Sequence, residues 1–455
     1  MKNIEGLLNR YSKPVPRYTS YPTAPHFTDG LGLRLIDEVH WGVNQMDRVS
    51  LYLHIPFCDR LCWFCGCHTK QTNRYTPVSN YVTSLIGEMK LHARHFEGKP
   101  LLGTVHFGGG SPSMLSETDF DRINSALNRF FIRDSHTEIS VELDPNDLGA
   151  GLLRGLTNLG VTRASIGVQD FDEQVQKAIN RPQSFSQTRE MVEALRGLGI
   201  KSVNLDALYG LPLQDTKKLQ STVRQMLLLT PERIALFGYA HIPWMKKHQT
   251  MIRDSDLPGT MERFEQARIA SEMLVASGYQ AIGIDHFALP DDKLAIAATN
   301  GTLHRNFQGY TTDDCPTLIG MGASSIGGFN NDSGAGYVQN LVPTGQYNLA
   351  VANGKLPVFK GYRLSNDDII RRWMIEKLMC NLQVSSGEMI AEFGARAMPY
   401  IEELANTAAG DTDELCQMKN AIFSILPDAR AFTRIVAARF DAYFQKSAAR
   451  YSQAV

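Results

Sequence analysis

Four of the chain's seven cysteines, Cys58, Cys62, Cys65 and Cys67, fall inside ten residues. The spacing is C-x3-C-x2-C with a fourth thiol two residues on, in a short loop after the apolar run 51–55 that Pro56 stops. Three thiolates on one loop can hold three corners of a cubane [4Fe–4S] cluster, leaving a fourth iron without a protein ligand and free to bind a small molecule. A zinc knuckle with Cys67 or His68 as fourth ligand is the alternative. It is disfavoured because zinc sites usually join a C-x-x-C to a second pair further along, and Cys315, Cys380 and Cys416 are isolated. A disulfide framework fits less well still, since four crowded thiols in a long chain without a secretion signal read as metal or redox chemistry.

Other polar residues stand at the ends of apolar runs. Gly108, Gly109 and Gly110 with Ser111 and Pro112 follow the run 103–107. Such glycines let a backbone approach a ligand closely, although Gly-Gly-Ser-Pro is also an ordinary turn. Glu142 and Asp144 close the run 138–143, where a carboxylate can receive an ammonium or a ribose hydroxyl, or cap the next turn. Gln169 and Asp170 close 163–168, with Asn180 and Arg181 shortly after. Asp206 lies within 202–208, and Ala240 and His241 follow 233–239. Singly, an Asp or Gln of this kind is usually structural. Repeated at several strand ends, such groups need partners, which a bound zwitterionic nucleoside would provide.

The elements that must position these groups alternate. Helical patterns at 78–96, 117–131, 186–198 and 261–277 fall between the apolar runs, and 281–284 is a further run. Alternating β and α argues for a parallel sheet with crossover helices, whose sites lie just beyond the strand ends. Counting the cluster strand gives six or seven strands, too few to close an eight-stranded barrel. The expected class is α/β: an open partial (β/α)6-type parallel barrel with an N-terminal extended arm and a small, mainly helical C-terminal domain. The divisions fall at 1–48, 49–358 and 359–455. The proline-rich stretch 16–27 reads as an extended segment lying on the rest of the protein, either a solvated tail with aromatic anchors or a lid. Residues 285–330 break the alternation with a polar-aromatic and a glycine-rich stretch, read as loops. Beyond 359 helices are expected at 367–382, 401–407 and 430–446, a tail bland in chemistry, and the three single cysteines read as small buried residues.

With 46 basic and 47 acidic residues in 455, no pull toward nucleic acid is expected. No run approaches a membrane span, and the N-terminus lacks the apolar core of a signal peptide. A reducing cytoplasm is the expected compartment.

The cysteine loop resembles that of the radical S-adenosylmethionine enzymes. Tyr52, His54, Pro56, Phe57 and the trailing Cys67 narrow the likeness to the oxygen-independent coproporphyrinogen III dehydrogenases, the anaerobic coproporphyrinogen oxidases of haem synthesis. The likeness covers roughly residues 14 to 380 in about ten motifs in family order. It implies the open barrel and a [4Fe–4S] cluster on Cys58, Cys62 and Cys65. It implies S-adenosylmethionine held by Tyr52, Gly109, Glu142 and Ile326. A second such molecule would meet Phe64, Cys67, Gly110, Ser111, Gln169, Arg181, Asp206 and Ala240. Tyr52, Cys67, Glu142 and Ile326 would serve catalysis. The implied reaction takes hydrogen from the β-carbon of two propionates of coproporphyrinogen III, with loss of CO₂ and one further electron each, to give the vinyl groups of protoporphyrinogen IX. A one-electron donor such as a flavodoxin or ferredoxin system is the expected partner, and a monomer the expected state. Substrate carboxylates should meet Arg or Lys; the sequence does not say which, and Arg17 and Arg305 are a guess. Ala429 and Arg430 stand where the family would have Gly-Arg, which leaves a role for the tail in doubt. The competing class is a haem chaperone on the same fold, in whose members phenylalanine usually replaces Cys67 and the N-terminal arm is largely lacking. A structural protein on a degenerate scaffold is disfavoured by the intact cysteine triad.

Overall fold

The computed structural model describes residues 4–44, 46–332, 334–444 and 451. Six strands follow the alternation: β1 (Arg48–Ile55), β2 (Leu101–Gly109), β3 (Glu138–Leu143), β4 (Arg163–Gln169), β5 (Ser202–Tyr209) and β6 (Arg233–Gly238). Each pairs in parallel with the next. Leu51, Leu53 and Ile55 on one face of β1 have no exposed surface, and Ser50 and His54 on the other are buried, as expected of a strand covered on both faces. Helices Thr76–His92, Glu117–Phe130, Ala150–Leu159, Phe185–Gly197, Thr216–Leu228 and Thr260–Ala276 follow them. Local chemistry fixes the starts of three of these helices. Ser116 accepts from Asp119 N at 3.2 Å, Asp215 accepts from Lys218 N at 2.8 Å, and Ser184 with Gln187 forms a capping box.

Beyond the six strands the sheet grows at both edges. The run at 281–284 is not a seventh parallel strand. Its residues form β7 (Gln280–Ile282), which turns back into β8 (His286–Ala288), and β8 pairs antiparallel with β6. Only three residues separate the two, too few for the crossover that a parallel partner requires. The missing parallel neighbour lies in the stretch read as loops. β9 (Thr317–Met321) pairs in parallel with β1 on its other side. Antiparallel β10 (Ile326–Asn331), β11 (Gly334–Asn340) and β12 (Val358–Arg363) continue from it, and Thr28–Asp29 is the last strand. The two edge strands of this thirteen-stranded sheet are not paired to each other, so it remains open.

Two large apolar cores result. One lines the barrel; the other gathers Met374, Leu378, Phe423, Phe432 and Phe440 from the C-terminal region with Leu8, Val15, Tyr18 and Tyr21 from the N-terminus. The N-terminal stretch is therefore extended only in part, between helices Ile4–Tyr11 and Leu31–Val39, and it packs on the tail of the chain. Tyr18 donates to Asp441 at 3.0 Å, and Arg434 donates to the Pro16 carbonyl at 3.0 Å. The tail holds the expected helices at Asn366–Asn381 and Met398–Ala409, plus a three-stranded sheet that the sequence did not suggest. In place of a helix over 430–446, a 3-10 turn leads into the short helix Thr433–Ala438; Gln445 and Lys446 lie outside the described residues.

Candidate functional site

Pro56 releases the chain from β1 into the cysteine loop, and main-chain bonds hold the loop at both ends. Lys70 N donates to the Pro56 carbonyl at 2.6 Å and Thr72 N to the Cys58 carbonyl at 2.9 Å. Neighbouring elements grip the middle. Trp63 N donates to the Ile179 carbonyl (2.9 Å) and the Asn180 amide to the Leu61 carbonyl (2.9 Å). On the other side Lys246, His248 and Gln249 donate to the carbonyls of Cys67, Cys65 and Phe64 at 2.9, 2.8 and 3.0 Å. Gln249 also reaches the Ala240 carbonyl at 3.2 Å, so one amide ties Phe64 to Ala240. Carbonyls that could have faced solvent are thus taken up by the protein, and the thiols are left for other chemistry.

All seven cysteines are free, and Cys67 alone is exposed. Burial pushes the Cys58 thiol up, and the charges of Cys65 and Cys62 add to the effect, so the three face a common space. Yet they do not all lie within 4.8 Å of one another; among the described residues the only donor group that tight is Asp313, Asp314 and Cys315. A single zinc ion, with Zn–S bonds of about 2.3 Å, would draw its sulfurs closer than that. Three thiols facing one space at wider spacing fit the corners of an iron–sulfur cluster. Cys67 differs from the three: it lies beside Cys65, and their interaction lowers the Cys65 thiol and raises that of Cys67.

The strand ends beside the loop carry the polar groups. The Tyr52 hydroxyl lies 2.9 Å from His54 Nδ1, and His54 Nε2 lies 3.0 Å from the His68 carbonyl. A carbonyl only accepts, so Nε2 carries the proton and Nδ1 accepts from Tyr52. Burial pushes this imidazole down to about 4, which keeps it neutral. Glu142 accepts from Gly109 N at 3.0 Å and from His106 at 3.2 Å. Burial opposes its charge, but those donors hold the carboxyl below its ordinary range. Gly109 has φ +116°, and a Cβ there would lie 2.5 Å from the His54 ring. At Gly110 a Cβ would lie 2.6 Å from the Phe57 carbonyl. Only glycine permits this approach of β2 to the loop. Ser111 donates to Asp147 at 3.0 Å.

Gln169 sits at a register shift between β4 and β5 with φ 65°, a left-handed backbone that side chains rarely adopt and that often marks a site. Arg181 reaches Cys62 Sγ at 3.5 Å, the Gly167 carbonyl at 2.9 Å and Asp144 at 3.0 Å. Asp206 accepts from Ser165 at 2.9 Å and Asn204 at 2.6 Å. Burial raises its carboxyl to about 6, and the charge of Glu142 contributes. Ile326 lies at the level of Tyr52 two strands away: Tyr52 pairs with Gly320, whose Cβ would meet the Ile326 carbonyl at 2.5 Å. The expected site residues therefore line one end of the parallel sheet, with Phe64 packed beside Val175, Ile179, Leu211 and Tyr239.

Sequence reasoning missed His106, which stacks on Tyr52 with centroids 5.8 Å apart, and Lys246, His248 and Gln249. The alternate polar positions His106, Ser140 and Glu142 on β2 and β3, all facing the same way, were the available signal.

The profile of the Radical SAM superfamily matches residues 52–225. An oxygen-independent coproporphyrinogen III oxidase from Cereibacter sphaeroides is 42% identical over 456 residues, covering 100% of both chains. One from Pseudomonas aeruginosa is 37% identical over 96% of this chain and 95% of its own. Among solved structures, the coproporphyrinogen III oxidase of Escherichia coli, described as a radical SAM enzyme, superposes with a TM-score of 0.88 at 34% identity, over 94% of this chain and 97% of that one. With a thiol loop spaced for a cluster at the end of an open parallel barrel, and with relatives alike from end to end, this chain belongs to the oxygen-independent coproporphyrinogen III oxidase family of radical SAM enzymes.

Proposed function

We propose that the chain converts two propionate side chains of coproporphyrinogen III to vinyl groups by radical oxidative decarboxylation, giving protoporphyrinogen IX. The observation that carries this is the convergence of Cys58, Cys62 and Cys65 with Tyr52, Gly109 and Glu142 at one sheet end. When bound, the cluster and S-adenosylmethionine supply an electron and from it a 5′-deoxyadenosyl radical, strong enough to take hydrogen from an unactivated C–H bond.

The protein's own groups position and enclose. Cys58, Cys62 and Cys65 would hold the cluster. Glu142, ionised and fixed by His106 and Gly109 N, offers a carboxylate to the cofactor's ammonium or ribose. Gly109 and Gly110 let the main chain close on the cofactor, Tyr52 is oriented by neutral His54, and Ile326 gives an apolar contact. A second S-adenosylmethionine would lie along Phe64, Cys67, Gly110, Ser111, Gln169, Asp206 and Ala240. The part assigned to Arg181 is narrower, because its bonds to Cys62, Gly167 and Asp144 already engage both terminal nitrogens. The electron would come from a flavodoxin- or ferredoxin-type donor acting on a monomer. Among the described residues no helix is long and apolar enough to cross a membrane. The three-part division at 48/49 and 358/359 stands as a proposal, with the qualification that β12 extends the barrel sheet to Arg363 and that the first residues share the tail's core.

Anaerobic reconstitution with iron and sulfide, then incubation with S-adenosylmethionine, a reductant and coproporphyrinogen III, should yield protoporphyrinogen IX and 5′-deoxyadenosine. Stable haem binding without decarboxylation would move the chain to the chaperone class.

A further inference from the structure

A cavity of about 630 Å³ lies where the ends of β5 and β6, the N-terminal stretch and the tail meet. Its volume falls among small-molecule sites, roughly 300–1,000 Å³. Six arginines line it; Arg268 is taken up by Glu265 and Glu272, which leaves Arg17, Arg263, Arg305, Arg430 and Arg434. Four reach neutral main-chain carbonyls. Arg17 meets Gly238 at 3.1 Å, Arg263 meets Tyr239 at 3.0 Å, Arg434 meets Pro16 at 3.0 Å, and Arg430 meets Gly283. The Arg305 side chain is 5% exposed. Its Nε and Nη1 find no hydrogen-bond partner among the described residues, and neither does Arg263 Nε. The Arg305 guanidinium lies 4.4 Å from the centroid of the Tyr310 ring and 4.0 Å from Asp285.

Against these five guanidiniums the cavity sets one well-buried carboxylate, Asp285, and the exposed Asp428. Glu265 and Glu272, nearer solvent, are paired with Arg268. Burial pushes the Arg434 guanidinium down to about 9, with Arg17 and Arg305 adding repulsion. Arg17 keeps exposed surface although protein surrounds it, because that surface faces the cavity. Burying this excess of positive charge is costly, so a cavity of this composition favours an anionic guest. It adjoins the cluster loop: Tyr239 lines it, and the next residue, Ala240, is tied to Phe64 through Gln249.

Asp285 has a different use. One of its oxygens accepts from His286 Nδ1 at 2.7 Å. The residue lines the cavity, where it is the one largely buried carboxylate among the arginines. A pyrrole N–H is a donor with no acceptor capacity, and a porphyrinogen carries four, with sp³ bridges that let them tilt to one face. In the oxidised, planar porphyrin two nitrogens have lost their hydrogens and the rest point inward.

We propose that this cavity binds the tetrapyrrole, with Arg305 and Arg263 pairing with propionate carboxylates and Asp285 accepting pyrrole N–H bonds. This rests on the function proposed above and adds to it a site built from both ends of the chain. Arg17, Arg430 and Arg434 complete the positive wall, so the tail takes part in recognition.

The test uses cluster-loaded protein and coproporphyrin III, the oxidised tetracarboxylate, with binding read by fluorescence quenching. Arg305→Gln and Arg263→Gln should each weaken binding at least about tenfold, the scale of one lost charge-assisted bond. Wild-type cluster absorbance will verify the fold, and two variants guard against one that fails to fold. Asp285→Asn should raise KM for coproporphyrinogen III by a similar factor while changing coproporphyrin III affinity less than about threefold. Unchanged coproporphyrin III affinity in both arginine variants overturns the cavity assignment. An equal loss of porphyrin and porphyrinogen in Asp285→Asn overturns the pyrrole contact. Should wild-type protein fail to turn over coproporphyrinogen III at all, the proposed function is what fails. Wild-type turnover with indifferent variants sinks only the cavity.

Discussion

The most informative perturbation of the cluster loop is Arg181→Met. The side chain is nearly isosteric along its stem, yet it removes the 3.0 Å ion pair with Asp144, the 2.9 Å bond to Gly167 and the 3.5 Å contact with Cys62 Sγ. The two charged side chains are 11% and 18% exposed, so the pair is mostly desolvated. Breaking such a pair by deleting one member typically costs about 3–5 kcal/mol, because the other charge is left buried. Asp144 would keep its bonds from Asn146 at 3.0 and 2.9 Å, which places the cost near the lower end, about 3 kcal/mol. Unfolding entropy of about 2.1 cal/mol/K per residue over the 455 residues makes each kcal/mol worth about 1 °C. The expected fall in Tm is therefore about 3 °C, and more if the barrel melts separately from the tail.

A double-mutant cycle decides whether the pair is the cause. Asp144→Asn alone leaves the guanidinium without its counter-charge, and the double variant leaves neither charge stranded. The double loss should fall short of the sum of the single losses by about 2 kcal/mol. Anaerobic thermal melts of the four proteins, before and after cluster loading, supply the numbers. Because Arg181 also ties Cys62 to the β4 end, iron release to a chelator should be faster in Arg181→Met. Additive losses across the cycle, or iron release at the wild-type rate, would show that the guanidinium does not organise the loop.

Two further outcomes can be checked with little more than the unloaded protein. For Asp206 the folded carboxyl sits at about 6 against an ordinary 3.8. A raised carboxyl destabilises the fold by nothing below 3.8, increasingly between 3.8 and 6, and fully above, up to about 3 kcal/mol. Asp206→Asn should accordingly stabilise the unloaded protein relative to wild type at pH 7.5, with about half that advantage gone at pH 5; a pH-independent difference in melting would refute the burial argument. Tyr18→Phe removes the 3.0 Å bond to Asp441, which still accepts from Tyr443 N at 2.8 Å. A loss of about 1 kcal/mol and faster tryptic cleavage after Arg17 are expected, and protection equal to wild type would mean the hydroxyl does not hold the N-terminal stretch.

What the sequence made legible is what is local. Each of the six parallel strands is a largely apolar run followed by a helix, and three of the helix starts carry a side-chain cap, so local pattern locates them. β9 was hidden because Thr317–Met321 is only five residues long and sits between a polar hairpin and a glycine-rich turn. Its strand character comes from pairing with β1, which is invisible from within the segment. The run at 281–284 misled for the opposite reason: its composition suits a strand, but its direction is set by the three-residue link to β8. Arg434 went unread, and Arg430 was noted only beside Ala429, because both lie in a tail judged bland. Two arginines four apart beside Ile435, Val436 and Ala437 were a usable sign, since a cation in an apolar stretch requires a partner.

The division between legible and hidden follows the chemistry. The thiols, glycines and carboxylates proposed for the cluster and its cofactor come from residues 52–206 and Ile326, mostly from consecutive strand ends whose spacing the parallel sheet imposes. A motif can encode them because the backbone path between them is short and regular. The arginines and Asp285 of the proposed tetrapyrrole cavity come from positions 17, 263, 285, 305, 430 and 434, and they meet only because Val15, Tyr18 and Tyr21 enter the same core as Phe432 and Phe440. Docking of the chain's two ends therefore does more than stabilise a tail. Without it Arg17, Arg430 and Arg434 would not face Arg263 and Arg305, and their mutual repulsion would favour separation. An anion seated among them reverses the sign of that interaction. Tetrapyrrole binding and end-to-end docking are thus thermodynamically linked, and a variant that loosens the N-terminal stretch should weaken porphyrin affinity with every arginine in place.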